Sequence, residues 1–276
     1  MTDHMNEDMR GTARGTRGIA RVLRRALAPV AAAAALALAP VSAVAAPHTG
    51  SPTVPGHPSL LADANGRLPL AVTGPSGSIK HIPGGWVLAT HGDGRTYAQS
   101  AAPAVNVGGA FTVSAWVYAD GRGGSESAVS QGAGTANASF SLGRAFNPGH
   151  FARTPLWDFS VSTAPGTVVS VFAPASYHVD KTWALLTGVW DPSRHRISLY
   201  VDGKLAGIQT AARVVVGHGG LQLGREADIA GWTDAWNGVI GHVQVWNRAL
   251  TPAQVLEIDK HGGPKGVPAA HSWLVA

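Results

Sequence analysis

The sequence predicts an all-β protein in which two antiparallel sheets pack face to face, followed by one short helix. Three observations predict it. From about residue 60 onward, short β-rich segments alternate with Gly, Pro, Asp and Asn. The segment 111–118 places Phe111, Val113, Ala115 and Val117 on one side and Thr112, Ser114, Trp116 and Tyr118 on the other, the period-two signature of a strand with one buried face. After the leader, only one segment carries the start and stop signals of a helix.

The first 45 residues read as a secretory signal. Arg21 to Arg25 is a positive n-region, Ala26 to Ala39 is an aliphatic run too short for a comfortable membrane span, and Ala43-Val44-Ala45 fits a small-x-small cleavage site with the cut after Ala45. An uncleaved anchor is the alternative. Residues 46–59, rich in Pro, Gly, Ser, Thr and His without periodicity, read as a disordered linker. Residues 60–262 are of a size that one all-β domain fills, and 263–276 read as a C-terminal tail.

Within the domain, Trp86 to Thr90, Thr96 to Gln99, Ala128 to Gln131, Ser139 to Leu142, Trp157 to Ser162 and Val168 to Phe172 are candidate strands. Trp183 to Trp190 is apolar except at Thr187 and Gly188, which suits a central strand covered on both faces. Arg196 to Val201 runs into Asp202-Gly203, the pair a type I′ hairpin turn prefers because both central residues need positive φ, so Lys204 to Gln209 returns antiparallel. Gly220 to Leu223 and Val239 to Trp246 complete the strands. Thr251, Pro252 and Gln254 form a capping box before Val255, Leu256 and Ile258, and His261-Gly262-Gly263 ends the helix. Many short strands with one terminal helix make a jelly-roll sandwich.

Composition excludes several functions. Of 21 Lys and Arg, six precede Ala26, and beyond that point the chain has a net charge of only +2, so the leader carries most of the basicity and a nucleic-acid partner loses its electrostatic support. With no cysteine, disulfide scaffolds, thiol enzymes and Cys-ligated zinc are out. No nucleophile elbow, Walker loop or His-x-x-x-His pair is present. After the leader no stretch is apolar and long enough to span a bilayer, so the processed protein is expected outside the cell, not inserted in a membrane.

Phe111-Thr-Val-Ser-Ala-Trp-Val117, Trp183-Ala-Leu-Leu-Thr-Gly-Val-Trp-Asp191, Leu199-Tyr-Val-Asp-Gly203, Leu223-Gly-Arg225 and the segment Trp236 to Leu250 resemble, in order, successive signatures of the laminin-G-like jelly-roll domains of the concanavalin A-like lectin and glucanase superfamily. The resemblance implies two curved sheets, an extracellular setting, and carbohydrate or protein binding, frequently with calcium. Asp93, in His91-Gly-Asp-Gly-Arg-Thr-Tyr97, matches a family position that often ligates calcium, although Gly241 and His242 stand where the family commonly has an acid. Asp93-Gly94 also reads as an ordinary turn.

The Glu-x-Asp-x-Glu strand motif of the superfamily's glucanases is missing; Glu226-Ala-Asp228 is its nearest approximation and reads as solvated loop acids. A binding module for carbohydrate or a glycoprotein is therefore expected before a glycoside hydrolase or lyase with dispersed acids, or an adhesion protein. Sugar recognition pairs an exposed aromatic plate with polar groups. Trp232, Asp234, Trp236 and Asn237, in a turn-rich segment, are the first candidates, with capping of the sandwich core the competing reading for both tryptophans. Asn147 and Arg153, in the long loop after Arg144, are the second.

Overall fold

The computed structural model describes residues 52–121, 123–132, 137–149 and 154–275. The leader, its cut after Ala45, and Arg153 lie outside the described residues. In chain order the first strands are β1 (Thr53–Val54), β2 (His57–Leu61), β3 (Leu70–Thr73), β4 (Ile79–Ile82), β5 (Gly85–His91) and β6 (Tyr97–Ser100). Then come β7 (Phe111–Ala119), β8 (Glu126–Gln131), β9 (Phe140–Ala145), β10 (Leu156–Ala164), β11 (Thr167–Phe172), β12 (Trp183–Asp191), β13 (Arg196–Val201) and β14 (Lys204–Thr210). The rest are β15 (Leu221–Leu223), β16 (Glu226–Asp228), β17 (Gly231–Thr233), β18 (Asn237–Trp246), the helix α1 (Pro252–His261) and β19 (His271–Trp273).

Two antiparallel sheets result. The first runs β1-β2-β3-β6-β15-β8-β9-β10-β11, and the second β14-β13-β12-β7-β18-β5-β4 with β19 also on β18. This is the expected jelly-roll sandwich. Period-two alternation explains its layering residue by residue. Val72, Ala98, Leu223, Val129, Leu142, Phe159 and Val171 are successive cross-strand partners on the first sheet, and they face the core. The adjacent row, Ala71, Gln99, Gln222, Ser130, Ser141, Ser160 and Ser170, points to the opposite side, where all but one residue is polar. Phe111, Phe140 and Phe159 cluster between the sheets, the closest ring centroids 4.9 Å apart. A Cβ at Gly188 would come within 2.4 Å of the Phe159 ring, so the glycine that interrupts the apolar run of β12 makes room for that ring.

Two local expectations hold in detail. Asp202 (φ 50°) and Gly203 (φ 70°) form the positive-φ turn between β13 and β14. Thr251 accepts from the Gln254 amide, Gln254 reaches back to the Thr251 amide, and Gly262 (φ 73°) closes α1. Val255 and Ile258 of α1 join Leu185, Val189, Tyr200, Trp246 and Leu250 in a second, smaller core on the outer side of the second sheet.

Two boundaries need correction. The expected linker 46–59 already holds β1 and the start of β2, which pair across Pro55-Gly56 (φ 77°) at the edge of the first sheet. Prolines disguise these strands: Pro52 and Pro55 flank β1, and Pro58 stands in β2 at a position that pairs with neither neighbouring strand, so its missing N–H costs no ladder bond. The expected tail contains β19, paired with Val243–Val245; Trp273 is fully buried and donates its Nε1–H to the Leu68 carbonyl at 2.8 Å. Asp63 ties both ends together: it accepts the amides of Asn65, Arg67, Leu68 and Ser272, and lies 2.8 Å from His271 Nδ1. A three-residue strand has too little length to show a period.

Candidate functional site

The outward polar row of the first sheet would meet solvent if nothing covered it, yet Ser130, Ser141 and Gln222 are buried. The cover is the segment after β15. Gly224 (φ 88°) turns the chain, and β16 and β17 pair as a hairpin, Glu226 with Thr233 and Ala227 with Trp232. Polar contacts hold this hairpin to the sheet. Ser130 Oγ donates to the Arg225 carbonyl at 2.9 Å, the Ala138 amide to Ala227 at 2.8 Å, and the Ser127 amide to Asp234 at 2.8 Å. At its base the Trp236 amide donates to the Gly224 carbonyl.

Arg225 organises the exposed part. Its Nε donates to Gln222 Oε1 (3.1 Å) and its Nη2 to Gln99 Oε1 (3.0 Å), which holds the guanidinium flat on the sheet. The guanidinium carbon then lies 3.2 Å from the centroid of Tyr97 and 3.7 Å from that of Trp232. Arg225 itself is buried, whereas Trp232 keeps 50% of its surface exposed and Ile229, at the hairpin tip, 81%. The arrangement is a pre-positioned indole plate supported from below by a cation–π stack.

Beneath the hairpin is a group of acids. Asp158 is 6% exposed, with its Oδ1 unpaired, and interacts with Ser160 and Ser170. Burial, reinforced by Glu226, holds its carboxyl well above the usual range. Burial also pushes Glu226 up to about 7, with Asp234 and Asp228 adding repulsion. Asp234 is raised by burial as well, with Asp228 and Glu126 contributing. Glu226-Ala-Asp228 is thus a docked strand rather than a solvated loop, a correction that follows from the hairpin having a sheet face to lie on.

The expected site residues separate. Trp232 and Asp234 are on the hairpin, Asp234 at φ 50° in its exit turn. Trp236 is fully buried, 6.4 Å from Trp157 in a near-parallel stack, so it caps the core and offers no plate to a ligand. Four residues from Trp232, it falls where the chain re-enters the sandwich. Asn237 is absorbed by the sandwich end: its amide donates to Glu126 Oε2, and its Nδ2 approaches the Asp120 carbonyl. Asn147 accepts the Gly149 amide within its own turn. Tyr97, Gln99, Gln222 and Arg225 escaped the sequence reading. They lie on two segments, β6 and the end of β15, that pair only in the folded sheet, and Leu223-Gly-Arg225 is legible only as a signature.

Asp93 Oδ1 accepts the Arg95 amide in a turn, and His242 is a half-buried imidazole whose pKa desolvation lowers to about 4. His242 (φ 45°) sits where the register between β18 and β7 shifts. Among the described residues no three His, Asp or Glu side chains gather as a metal set.

A family model for a laminin G-type domain, described as concanavalin A-like lectin/glucanases superfamily, matches residues 92–256. The chain belongs to this superfamily. Among curated relatives of this lectin-type sandwich, the neuronal pentraxin receptor of Rattus norvegicus is 37% identical over 95 residues, 32% of this chain, and that of Homo sapiens 36% over 95 residues. The matched part spans only 18% of those relatives. Domain 4 of AbnA, an extracellular arabinanase from Geobacillus stearothermophilus, superposes with a TM-score of 0.54 at 18% identity, covering 72% of this chain and 92% of that one. The receptor-binding domain of botulinum neurotoxin type G superposes with a TM-score of 0.52 at 10% identity, covering 72% and 48%. These two extend the likeness of fold. Among the described residues no helix is long and apolar enough to cross a membrane.

Proposed function

We propose that the protein is an extracellular, non-catalytic binding module that takes carbohydrate on the outer side of the hairpin β16–β17, with Trp232 as the contact plate. The half-exposed Trp232 indole, backed by Arg225 and Tyr97, carries this reading. A pyranose or furanose ring presents C–H groups that pack on an aromatic face, and a plate already held in place loses little entropy when the sugar lands. The arabinanase domain that shares the fold is in complex with arabinotriose, which supports a saccharide as the ligand class.

The acids favour binding over hydrolysis. Glycoside cleavage needs two carboxyl groups flanking an open bond. Here Asp158 and Glu226 lie between the hairpin and the sheet, with Asp158 enclosed.

Screening the purified protein against arabino-, xylo- and gluco-oligosaccharides and a glycan array tests the reading. The expected result is binding that Trp232→Ala reduces at least about tenfold without loss of fold, and no turnover. Binding that survives Trp232→Ala, absence of any saccharide binding, or cleavage of the bound sugar would overturn it.

A further inference from the structure

We propose that the outer side of the second sheet carries a further ligand site, a small pocket that takes one uncharged, hydroxylated aromatic ring, with Trp116 and Trp183 as walls and the His242 imidazole as the hydrogen-bond partner of the hydroxyl. The pocket is separate from the hairpin on the first sheet and does not rest on the saccharide reading.

The pocket originates in one missing side chain. Val87, Gly241 and Trp116 are successive cross-strand partners on β5, β18 and β7, and Leu185 on β12 is the next. This row faces away from the main core, because Leu185 belongs to the smaller core under α1 and Trp116 packs against it. A Cβ at Gly241 would stand 3.1 Å from both Val87 Cγ1 and the Trp86 carbonyl oxygen, so backbone alone floors the dent between Val87 and Trp116. Trp183, two residues before Leu185, lies on the same side, its ring 5.6 Å from that of Tyr118. Ile82 and Pro83 from the β4–β5 turn and Leu274 after β19 complete the wall.

A bulge brings a polar group to this wall. The register of β18 on β7 shifts between Gly241 and Gln244, so one residue leaves the alternation; Val243 returns to the main core and His242 borders the pocket. His242 (φ 45°) donates its amide to the carbonyl of Leu274 (φ 54°) at 3.0 Å. Two adjoining bulky residues in left-handed backbone are uncommon, and each is held there only by the packing around it. Gly262, at the end of α1, leaves room for the ring: a Cβ there would lie 3.2 Å from His242 Cε1. Among the described residues the imidazole has no hydrogen-bond partner, and desolvation, which lowers its pKa to about 4, keeps it neutral at physiological pH. It therefore offers one N–H and one lone pair.

These contents select the ligand. No Asp, Glu, Lys or Arg lines the pocket, so a charged molecule would give up its hydration for nothing. A saccharide carries several hydroxyls on each ring, and a single imidazole would leave most of them unpaired. An aromatic ring gains offset or edge contacts with the two indoles, and one hydroxyl on its rim matches the one polar side chain present.

NMR of the full chain at neutral pH, reading the His242 Cε1–H and the Trp116 and Trp183 indole resonances during titration with p-cresol, toluene and benzoate, tests the pocket. Saturable shifts are expected with p-cresol at a Kd of about 1 mM. Toluene is expected to bind at least about fivefold more weakly and benzoate at least about tenfold more weakly. In His242→Gly, a change the positive φ accepts, the preference for p-cresol over toluene is expected to vanish. Gly241→Ala, which fills the dent, is expected to weaken both at least about tenfold with a cooperative melt retained; if that variant unfolds, the His242→Gly comparison decides. Trp232→Ala is expected to leave p-cresol binding unchanged, whatever it does to a saccharide. Absence of saturable shifts, equal affinity for p-cresol and toluene, benzoate binding as tightly as p-cresol, a preference that survives His242→Gly, or loss of p-cresol binding in Trp232→Ala would overturn the pocket. Failure of every saccharide with p-cresol still bound defeats the proposed function and leaves the pocket standing.

Discussion

The Arg225 guanidinium lies 3.7 Å over the Trp232 ring and is itself fixed by Gln99 and Gln222. A single buried cation thus supports the exposed indole and saturates two amide oxygens of the sheet. Arg225→Ala is expected to cost about 2–3 kcal/mol, from the lost stack and two abandoned acceptors. Arg225→Lys should recover little of it, because an ammonium cannot lie flat between two rings and reach both oxygens. Urea unfolding reads the stability.

Trp232 and Trp236 are expected to behave oppositely. Trp236→Ala opens a cavity against Trp157 and should destabilise by about 3–5 kcal/mol. Trp232→Ala, at an exposed position, should cost under about 1 kcal/mol. Thermal unfolding of the two variants side by side, with the saccharide screen on each, checks the separation of core from contact.

Stability against pH should carry two opposed slopes. Glu226 has a folded pKa raised to about 7, so its contribution is full below the unfolded value near 4.5 and is lost as pH rises through about 7. His242 has a folded pKa lowered to about 4, so its contribution is full above the unfolded value near 6.5 and is lost as pH falls through about 4. Between these limits the two offset one another. Glu226→Gln should raise stability at about pH 8 by about 1–2 kcal/mol and expose the His242 slope, a loss of stability on acidification. His242→Asn, which tolerates the positive φ, should expose the reverse. Chemical denaturation at a series of pH values measures both.

Arg144 is fully buried and binds Glu126 at 2.7 Å, Asp180 at 2.6 Å and the Gly121 carbonyl. Removing it strands the Glu126 charge, and Arg144→Met should cost about 3–5 kcal/mol. The double variant with Glu126→Gln should lose less than the sum of the singles, because neither then leaves a lone charge behind. A double-mutant cycle by denaturation decides it.

Truncation after Ala270 should unfold the protein. It removes Trp273 from the core and two partners from Asp63, whose remaining contacts lie on its own loop. A cooperative melt in the truncated chain would show β19 to be dispensable.

Local chemistry determined a good deal on its own. The alternation of 111–118, the Asp202-Gly203 turn and the Thr251–Gln254 box each act within a few residues, and the sandwich with its helix after the last long strand follows from them. Only the tertiary structure decided which tryptophan meets solvent. Trp232 and Trp236 share a composition and a segment, and their fates differ because one hangs on a hairpin over an already closed sheet while the other falls where the chain dives between sheets. The same holds for Tyr97, Gln99, Gln222 and Arg225, and for Asp158 beneath Glu226. A side chain's environment is set by which strands lie beside it, and long-range pairing brings together residues with no local pattern in common.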